Sequence, residues 1–286
     1  MTVTTLDHPT GAGAPTIAPA PAVAPAPAPP GPLATAWSVT VRTLRKFRRT
    51  PQLVLIGAIQ GAMFLLIFRY VFGGAISPGP VPYVDFLVPG FVMTSVLFAG
   101  TGTAAGVAED VEHGFFDRLR SLPVSRGALL AGRTLADTLV LAWGLAITTA
   151  IGFAIGFRIH GAVSMALAAF GLCVVYGFAT TWLFVWIGQV AGNAQAAQGM
   201  SLLVFPLTFV SSAYVPVDSM PGWMQPIAEH QPITVMTNAV RSLALGDPSL
   251  AGLSGTTAHW VVLSLLWSAG LVLVFAPLAI ARYRRS

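Results

Sequence analysis

Long apolar runs dominate the sequence after residue 50. Helices of about 20 residues cross the hydrocarbon layer of a bilayer, where only backbone that bonds internally is stable. The strand alternation of an outer-membrane barrel is absent. The pattern therefore predicts an all-α integral membrane fold with six transmembrane helices, and the six runs cover 52–72, 84–107, 134–157, 162–188, 198–215 and 258–280.

The composition agrees with a membrane protein and excludes an ordinary soluble enzyme. Only 9% of the 286 residues are charged and 55% are hydrophobic, whereas soluble domains carry about 25% charged residues. Cys173 is the only cysteine, which excludes an intrachain disulfide and any cysteine-based metal site.

The basic residues predict the topology. Twelve of the 15 lie before the first run, between the second and third runs, or after the sixth run. The positive-inside rule then places both termini in the cytoplasm. Because these cations flank membrane segments, the formal charge of +5 does not indicate nucleic-acid binding. Fourteen of the 15 are arginine, a bias typical of GC-rich bacterial genomes, so we expect a multi-pass protein of a bacterial plasma membrane.

Two segments precede the first run. Residues 1–34 are rich in alanine and proline and predict a disordered cytoplasmic tail, which leaves 35–286 as the membrane domain. Residues 35–50 predict an interfacial helix, although a simple basic flank for the first span fits the same residues. Its apolar face carries Trp37, Val41, Leu44 and Phe47. Its basic face carries Arg42, Arg45, Lys46 and Arg49.

The longer cytoplasmic loop, 108–133, predicts an amphipathic helix that ends at Pro123. Its apolar stripe runs from Val111 to Leu122, and acidic residues precede basic ones, as the helix dipole favours. Such a helix either docks a soluble partner or lies in the interface with a solvated face. The predicted external segment, 216–257, is punctuated by prolines, which predicts short re-entrant helices between spans five and six.

Three smaller predictions concern the spans. The run GTGTAAG at 100–106 predicts a packing face of small residues. Asp137 lies four residues after Arg133 and is expected to pair with it. Asp85 and Arg69 lie near the outer boundary, where their side chains are expected to extend to the surface.

Two segments carry a resemblance to a known family. The loop EDVEHGFFDRLRSLPVSRGALLAGRTLAD and the later SSAYVPVDSMPGWMQPIAEHQPIT resemble ABC-2 type transporter permeases, specifically the daunorubicin/doxorubicin-resistance branch. The resemblance covers about 35–286. It implies six spans, an interfacial helix, a coupling helix between spans two and three, and re-entrant helices between spans five and six. One departure is the pair His113-Gly114 in the middle of the coupling helix, since glycine costs about 1 kcal/mol there.

The resemblance also implies partners and sites. Members work as homodimers or as heterodimers with a sister permease, docked on ATP-binding subunits. The contact with the ATPase would fall on Glu109, Asp110, Glu112, Phe115, Phe116, Asp117, Arg118 and Arg120. A translocation path between two protomers would use Gln60, Phe64, Phe91, Phe98, Phe205 and Phe209, although a position facing lipid or the core is as plausible for each phenylalanine.

The chain has no motif for its own chemistry. The only lysine, Lys46, follows an arginine rather than a glycine loop, so no Walker motif is present and ATP with Mg²⁺ would bind a partner subunit. We therefore expect a permease for drug efflux and not an enzyme, with no cofactor or metal in this chain. The alternatives are an ATPase-independent secondary transporter or channel, against which the lack of a row of buried carboxylates at mid-membrane argues, and a membrane enzyme acting on lipids.

Overall fold

A computed structural model describes residues 31–49, 59, 61–76, 78, 80–114, 126–246 and 255–285. Within these ranges all regular structure is helical, as the sequence predicts. The last turn of the helix that ends at Phe72 is π-helical. The helices are α1 Pro32–Arg49, α2 Gly61–Phe72, α3 Tyr83–Glu112, α4 Arg126–Ala154, α5 Val163–Ala191, α6 Ala194–Leu202, α7 Phe205–Phe209, α8 Gln225–His230, α9 Pro232–Leu245 and α10 Thr257–Arg285.

Four helices of the described chain are long and apolar enough to cross a membrane: α3, α4, α5 and α10. They correspond to predicted spans two, three, four and six. The α2 helix contains the described part of predicted span one, and residues 50–58 lie outside the described ranges.

Predicted span five is not one continuous helix. The run 198–215 begins inside α6, turns at Leu203 and Val204, forms the short α7, and then leaves helical geometry at Val210. Pro206 explains part of the break, because proline fits the first turn of a helix but not its interior. The apolar run thus gives two short helices and a non-helical segment, 210–216.

The core is built around α5, which packs between α3 and α10. A side chain added at Gly100 of α3 would collide with the ring of Phe184, and one added at Gly188 of α5 would come within 2.5 Å of the carbonyl oxygen of Ala104. Small residues therefore let the two helices approach closely, as is usual between helices in membranes. This confirms the packing face predicted for 100–106.

The α1 helix packs along α4. The hydroxyl of Thr40 is fully buried and donates to the carbonyl of Gly132 at 2.9 Å. A side chain at Gly132 would collide with the backbone of Ala36. The face of α1 that meets α4 thus includes small and threonine residues, and Val39 packs against the buried cluster that contains Leu129 and Leu130 of α4. The helix begins at Pro32, three residues before the boundary expected from the sequence, and residues 1–30 lie outside the described ranges.

The second span continues farther than predicted. The α3 helix extends without interruption to Glu112, and Gly114 follows with φ +62°, a left-handed conformation that glycine adopts readily. The helix predicted for the loop is therefore interrupted at His113 and Gly114, the pair at which the sequence departs from the family pattern. Residues 115–125 lie outside the described ranges.

The predicted external segment does consist of short helical pieces. A 3₁₀ turn at Val217–Ser219 and α8 are followed by α9, which packs against α3, α5 and α10. Every α9 residue from Ile233 to Leu245 is buried. The α9 part of the predicted external segment therefore belongs to the protein core.

Candidate functional site

The last turn of α3 carries three of the predicted coupling residues. Glu109 and Glu112 are exposed, whereas Asp110 is half-buried. Acids at the C-terminal end of a helix oppose its dipole, so a nearby cation is needed to stabilise them. The other predicted coupling residues lie outside the described ranges: Phe115, Phe116, Asp117, Arg118 and Arg120.

Arg133 of α4 supplies this cation. Its Nη1 donates to Asp110 Oδ2 at 2.6 Å, and its Nε donates to Asp137 Oδ2 at 3.0 Å. The hydroxyl of Thr103 on α3 also donates to Asp137. The predicted pair of Arg133 with Asp137 is confirmed, and the contact with Asp110 turns a pair within one helix into a bridge between two. We call Thr103, Asp110, Arg133 and Asp137 the Arg133 cluster.

A glycine provides the space for this bridge. A side chain added at Gly106 of α3 would come within 2.6 Å of Arg133 Nη2. The guanidinium therefore lies against bare helix backbone, between the two carboxylates. Because the Arg133 side chain is only 17% exposed, its charge-assisted hydrogen bonds are stronger than those of a surface pair.

The residues of the predicted interfacial helix form the helix α1. Trp37 is 63% exposed and Arg42 and Arg45 are exposed, whereas Val41 and Leu44 are half-buried. Phe47 is half-buried as well, and the side chains of Lys46 and Arg49 lie outside the description. The helix thus packs on α4 along one side and leaves a large aromatic side chain and cations on the other.

Three of the predicted path residues belong to one chain of aromatic rings in contact. The ring centroids lie 5.3 Å apart for Phe98 and Phe205, 5.1 Å for Phe205 and Phe209, and 5.5 Å for Phe209 and Tyr214. Phe68 of α2 then stacks on Tyr214 at 4.8 Å. We call these five residues the aromatic row. It joins α2, α3 and α7, and its members Phe98 and Phe209 are 38% and 45% exposed.

The remaining predicted path residues lie elsewhere. Phe91 is only 4% exposed and contacts the helix surface at Gly61, and Phe64 is half-buried against the core. Gln60 lies outside the described ranges. The structure therefore brings three predicted residues together in the aromatic row and places two others against the core.

A polar stripe on α9 and its N-cap holds the chain where predicted span five loses helical geometry. Thr234 Oγ1 accepts from the amide of Ser212 at 3.0 Å, and Asn238 Oδ1 accepts from the hydroxyl of Ser212 at 3.1 Å. One turn earlier, Gln231 donates to the carbonyls of Leu207 and Val210. Backbone groups freed from a helix need such partners in an apolar environment. The α9 stripe consists of Gln231, Thr234, Asn238 and Arg241.

Arg241 makes the largest set of contacts in the α9 stripe. Its Nε donates to the carbonyl of Phe86 at 2.9 Å, and its Nη2 donates to the carbonyls of Ser212 at 2.6 Å and Ala213 at 3.3 Å. The guanidinium carbon lies 3.5 Å from the centre of the Phe86 ring, a cation–π contact. Arg241 is 3% exposed, and it takes part in none of the ion pairs among the described residues. We call Arg241 with these three partners the Arg241 cradle.

Asp85 is buried beside this cradle and does not extend to the surface as predicted. It is 3% exposed, accepts from the amide of Arg158 at 3.0 Å, and lies 3.1 Å from Nε2 of His160. The amide of His160 in turn donates to the carbonyl of Ala244. Asp85 therefore fastens the turn between α4 and α5 onto the start of α3 because it satisfies backbone groups there.

The sequence contained a signal for one of these sites that its interpretation missed. Polar residues recur at 231, 234, 238 and 241, the spacing of a single helix face. That face could have been identified within an otherwise apolar segment. The carbonyl partners of Arg241 carry no sequence signal, because any residue type provides the same oxygen. Among the described residues no group of three or more metal-ligating side chains was found.

Comparison with known proteins places the chain in a family. The family described as ABC-2 type transporter matches residues 35–245. The chain is similar to the daunorubicin resistance ABC transporter permease protein DrrB1 of Streptomyces coeruleorubidus, with 36% identity over 88% of each chain. It is also similar to the probable doxorubicin resistance ABC transporter permease protein DrrC of Mycobacterium tuberculosis, with 27% identity over 86% of this chain and 87% of the relative.

A more distant relative is the probable multidrug ABC transporter permease YbhR of Escherichia coli, with 28% identity over 59% of this chain and 46% of the relative. The family match spans most of α1 and all of the Arg133 cluster, the aromatic row and the α9 stripe. Together with the apolar helices that could cross a membrane, these findings show that the chain belongs to the ABC-2 type transporter family of membrane permeases.

Proposed function

We propose that this chain is the membrane-spanning permease subunit of an ATP-binding-cassette exporter. It moves hydrophobic drugs or lipid-like compounds out across the bacterial plasma membrane, and a separate partner subunit binds ATP and Mg²⁺ and supplies the energy. The observation that carries this proposal is the 36% identity, over 88% of each chain, with a daunorubicin resistance permease.

The topology follows from the charges of the sequence. Both termini lie in the cytoplasm, and α1 lies in the interface with its cations near anionic headgroups. The ATPase docks on the segment that starts at Glu109 and extends through Arg120. The exposed Glu109 and Glu112 at the end of α3 support this, because they leave a charged edge available to a soluble partner.

The translocation path lies between two permease subunits, either two copies of this chain or this chain and a sister permease. Exposed apolar side chains on α2, α6 and α7 support a partner surface here. They include Met63, Leu202, Leu203, Leu207 and Phe209. The aromatic row borders this surface and offers ring faces to planar apolar compounds.

A secondary transporter or channel that works without an ATPase is the alternative. The described carboxylates do not form a row through the middle of the spans: Asp85 lies at the start of α3, and Asp110 and Asp137 lie in the Arg133 cluster near its end. A proton relay normally needs such a row, which favours the ATP-driven mechanism.

The test is reconstitution of the chain in liposomes with the ATP-binding-cassette subunit that co-purifies with it. We expect efflux of preloaded doxorubicin only with this subunit, ATP and Mg²⁺ together. A partner variant that binds but does not hydrolyse ATP is the control and should give no efflux. Efflux driven by a proton gradient without any ATPase would contradict the proposal and support the alternative.

A further inference from the structure

The Arg133 cluster lies at the base of the segment that is proposed to receive the ATPase. Asp110 is two residues before the end of α3, and Arg133 is seven residues after the start of α4. The chain between these helix ends contains the proposed docking segment. Any force on that segment must pass into the spans through α3, through α4, or through both.

The cluster makes α3 and α4 respond together. Arg133 contacts Asp110 of α3 at 2.6 Å and Asp137 of α4 at 3.0 Å. The side chains are 17%, 24% and 4% exposed, respectively. Because one planar guanidinium serves both carboxylates through different nitrogens, it fixes the orientation as well as the distance of the two helices. Without it, the base of the docking segment could open while α3 and α4 move separately.

The same point also ties in α1. Gly132 precedes Arg133 and accepts from the buried hydroxyl of Thr40. The two neighbouring residues Gly132 and Arg133 therefore connect α1 and α3 to α4. A displacement of this part of α4 is passed to both helices.

Asp110 differs in this respect from the acids beside it. Its carboxylate is occupied by Arg133, whereas Glu109 and Glu112 are exposed. This separates two roles within the segment that the family resemblance assigns to ATPase contact as a whole. The exposed acids are available for the partner, and Asp110 is engaged inside the chain.

We infer that Arg133 is a positioning residue, which through Asp110 and Asp137 converts ATPase movement at the docking segment into joint movement of α3 and α4. This rests on the proposed function. In this arrangement Asp110 acts within the permease and does not contact the ATPase. Loss of the bridge leaves the ATPase bound but reduces the response of its activity to the transported drug.

The experiment uses the complex of the full chain with its co-purifying ATPase. Arg133→Gln, Arg133→Lys and Asp110→Asn are compared with Arg158→Gln and Glu229→Gln, two exposed positions outside the cluster. Three quantities are measured: the amount of ATPase retained, the apparent melting temperature, and the stimulation of ATP hydrolysis by doxorubicin. Retention and melting report binding and folding, whereas stimulation reports coupling.

We expect Arg133→Gln to retain the ATPase and to lower the drug stimulation about tenfold, the factor expected when a charge-assisted hydrogen bond is lost. Arg133→Lys should recover part of the stimulation because it keeps the charge but not the two-nitrogen geometry. The control variants should match the wild type. The double variant Asp110→Asn with Arg133→Gln should be no worse than Arg133→Gln alone if the two residues act as one unit.

The outcomes separate the two claims. If the wild-type chain neither retains an ATPase nor responds to drug, the proposed function fails. If the wild type is coupled and Arg133→Gln is equally coupled, only the inference fails. Loss of ATPase binding in a folded Asp110→Asn protein would also overturn the inference, because it would make Asp110 a docking residue. Should Arg133→Gln fail to fold, the nearly isosteric Asp110→Asn decides the question through its stimulation.

Discussion

Two arginines fasten helices near opposite ends of α3, and they do so with different partners. Arg133 lies between two carboxylates, Asp110 and Asp137. Arg241 is almost fully buried and donates to backbone carbonyls, among them those of Ser212 and Ala213 in the non-helical segment 210–216. Between regular helices most carbonyls already accept intrahelical bonds, so a cation there needs acidic side chains. Where the backbone leaves helical geometry, free carbonyl oxygens can serve instead.

The difference has a functional consequence. The Arg133 cluster is held by ion pairs between side chains, so a single substitution can remove one partner. Such a contact is suited to transmitting movement between helices. The Arg241 cradle depends on backbone positions that no side-chain substitution of the partners removes. We therefore expect the cradle to determine stability and the cluster to determine coupling, and four predictions test this comparison.

The largest effect should come from Arg241→Met. Methionine can replace the aliphatic part of the Arg241 side chain but has no hydrogen-bond donor. The carbonyls of Ser212 and Ala213 are therefore left without their donor. We expect a loss of at least ~3 kcal/mol in stability, since each buried unsatisfied group costs about 1–3 kcal/mol. The measurement is thermal unfolding of the purified protein in detergent. Arg45→Met, at an exposed arginine of α1, is the control, and equal melting temperatures for the two variants would refute the structural role of the cradle.

Two glycines of α3 sharpen the contrast between the regions. A side chain at Gly90 would collide with the backbone of Ala213 beside the cradle, whereas one at Gly106 would meet only the end of the flexible Arg133 side chain. We expect Gly90→Ala to destabilise by about 1–3 kcal/mol, the usual cost of overpacking. Gly106→Ala should change stability less but disturb coupling.

Gly102→Ala is the control for this pair, because nothing lies within 4 Å of an added side chain there. It should be neutral or stabilising by up to about 1 kcal/mol, since alanine favours the helix. Melting temperature and drug-stimulated ATP hydrolysis are measured for all three variants. A Gly106→Ala protein that melts lower than Gly90→Ala would reverse the assignment of stability and coupling.

Two threonines of α9 give a smaller, well-matched test of the α9 stripe. Thr234 accepts from the amide of Ser212, whereas the buried hydroxyl of Thr237 has no hydrogen-bond partner among the described residues. Thr234→Val should therefore cost about 1 kcal/mol, and Thr237→Val should be neutral or stabilising. Each substitution removes one threonine hydroxyl from the same helix, so the melting temperatures of the two variants can be compared directly. Equal shifts in melting temperature would mean that the hydrogen bond between the Ser212 amide and Thr234 contributes nothing to stability.

The smallest effect should come from the exposed acids at the end of α3. Glu109→Gln with Glu112→Gln should weaken ATPase binding by a few fold, since an exposed ion pair contributes about 0.2–1 kcal/mol. Melting temperature should not change. Binding is measured by titration of the ATPase subunit at low and high salt, and the difference should disappear at high salt. Asp110→Asn serves as the comparison and should leave binding intact.

Much of the helical architecture was predictable because the spans have to be apolar. The positions of α3, α4, α5 and α10 follow from runs of hydrophobic residues, although α3 and α4 extend beyond their predicted runs on the side of the loop that joins them. The pair of Arg133 with Asp137 follows from helical spacing. Two errors have one cause. Predicted span five was taken as continuous because its composition is apolar, and Asp85 was expected at the surface because it is charged. Side chains of the α9 stripe form hydrogen bonds with the broken part of predicted span five, and the turn before α5 supplies hydrogen-bond partners to Asp85. The local sequence shows neither set of partners.

The candidate sites were predictable only in part. The sequence assigned Phe98, Phe205 and Phe209 to one set of candidate path residues, and that role stays a prediction. The structure shows their rings in contact, and Phe68 and Tyr214 complete the aromatic row through ring contacts that no spacing predicts. The docking segment stays a prediction from charge and resemblance, whereas the pairing of Asp110 follows from its distance to Arg133. The α9 stripe was visible as a helical pattern but had no apparent partner in the sequence.

The sequence alone determined that the chain is helical, that it enters a membrane, and which family it resembles, because hydrophobicity and motif spacing act locally along the chain. Only the tertiary structure decided which charges are paired and which backbone breaks are tolerated. These depend on close approach between segments far apart in sequence, such as Arg241 to Phe86 and Arg133 to Asp110. In an apolar environment each buried polar group needs a partner, and the position of that partner is a property of the fold.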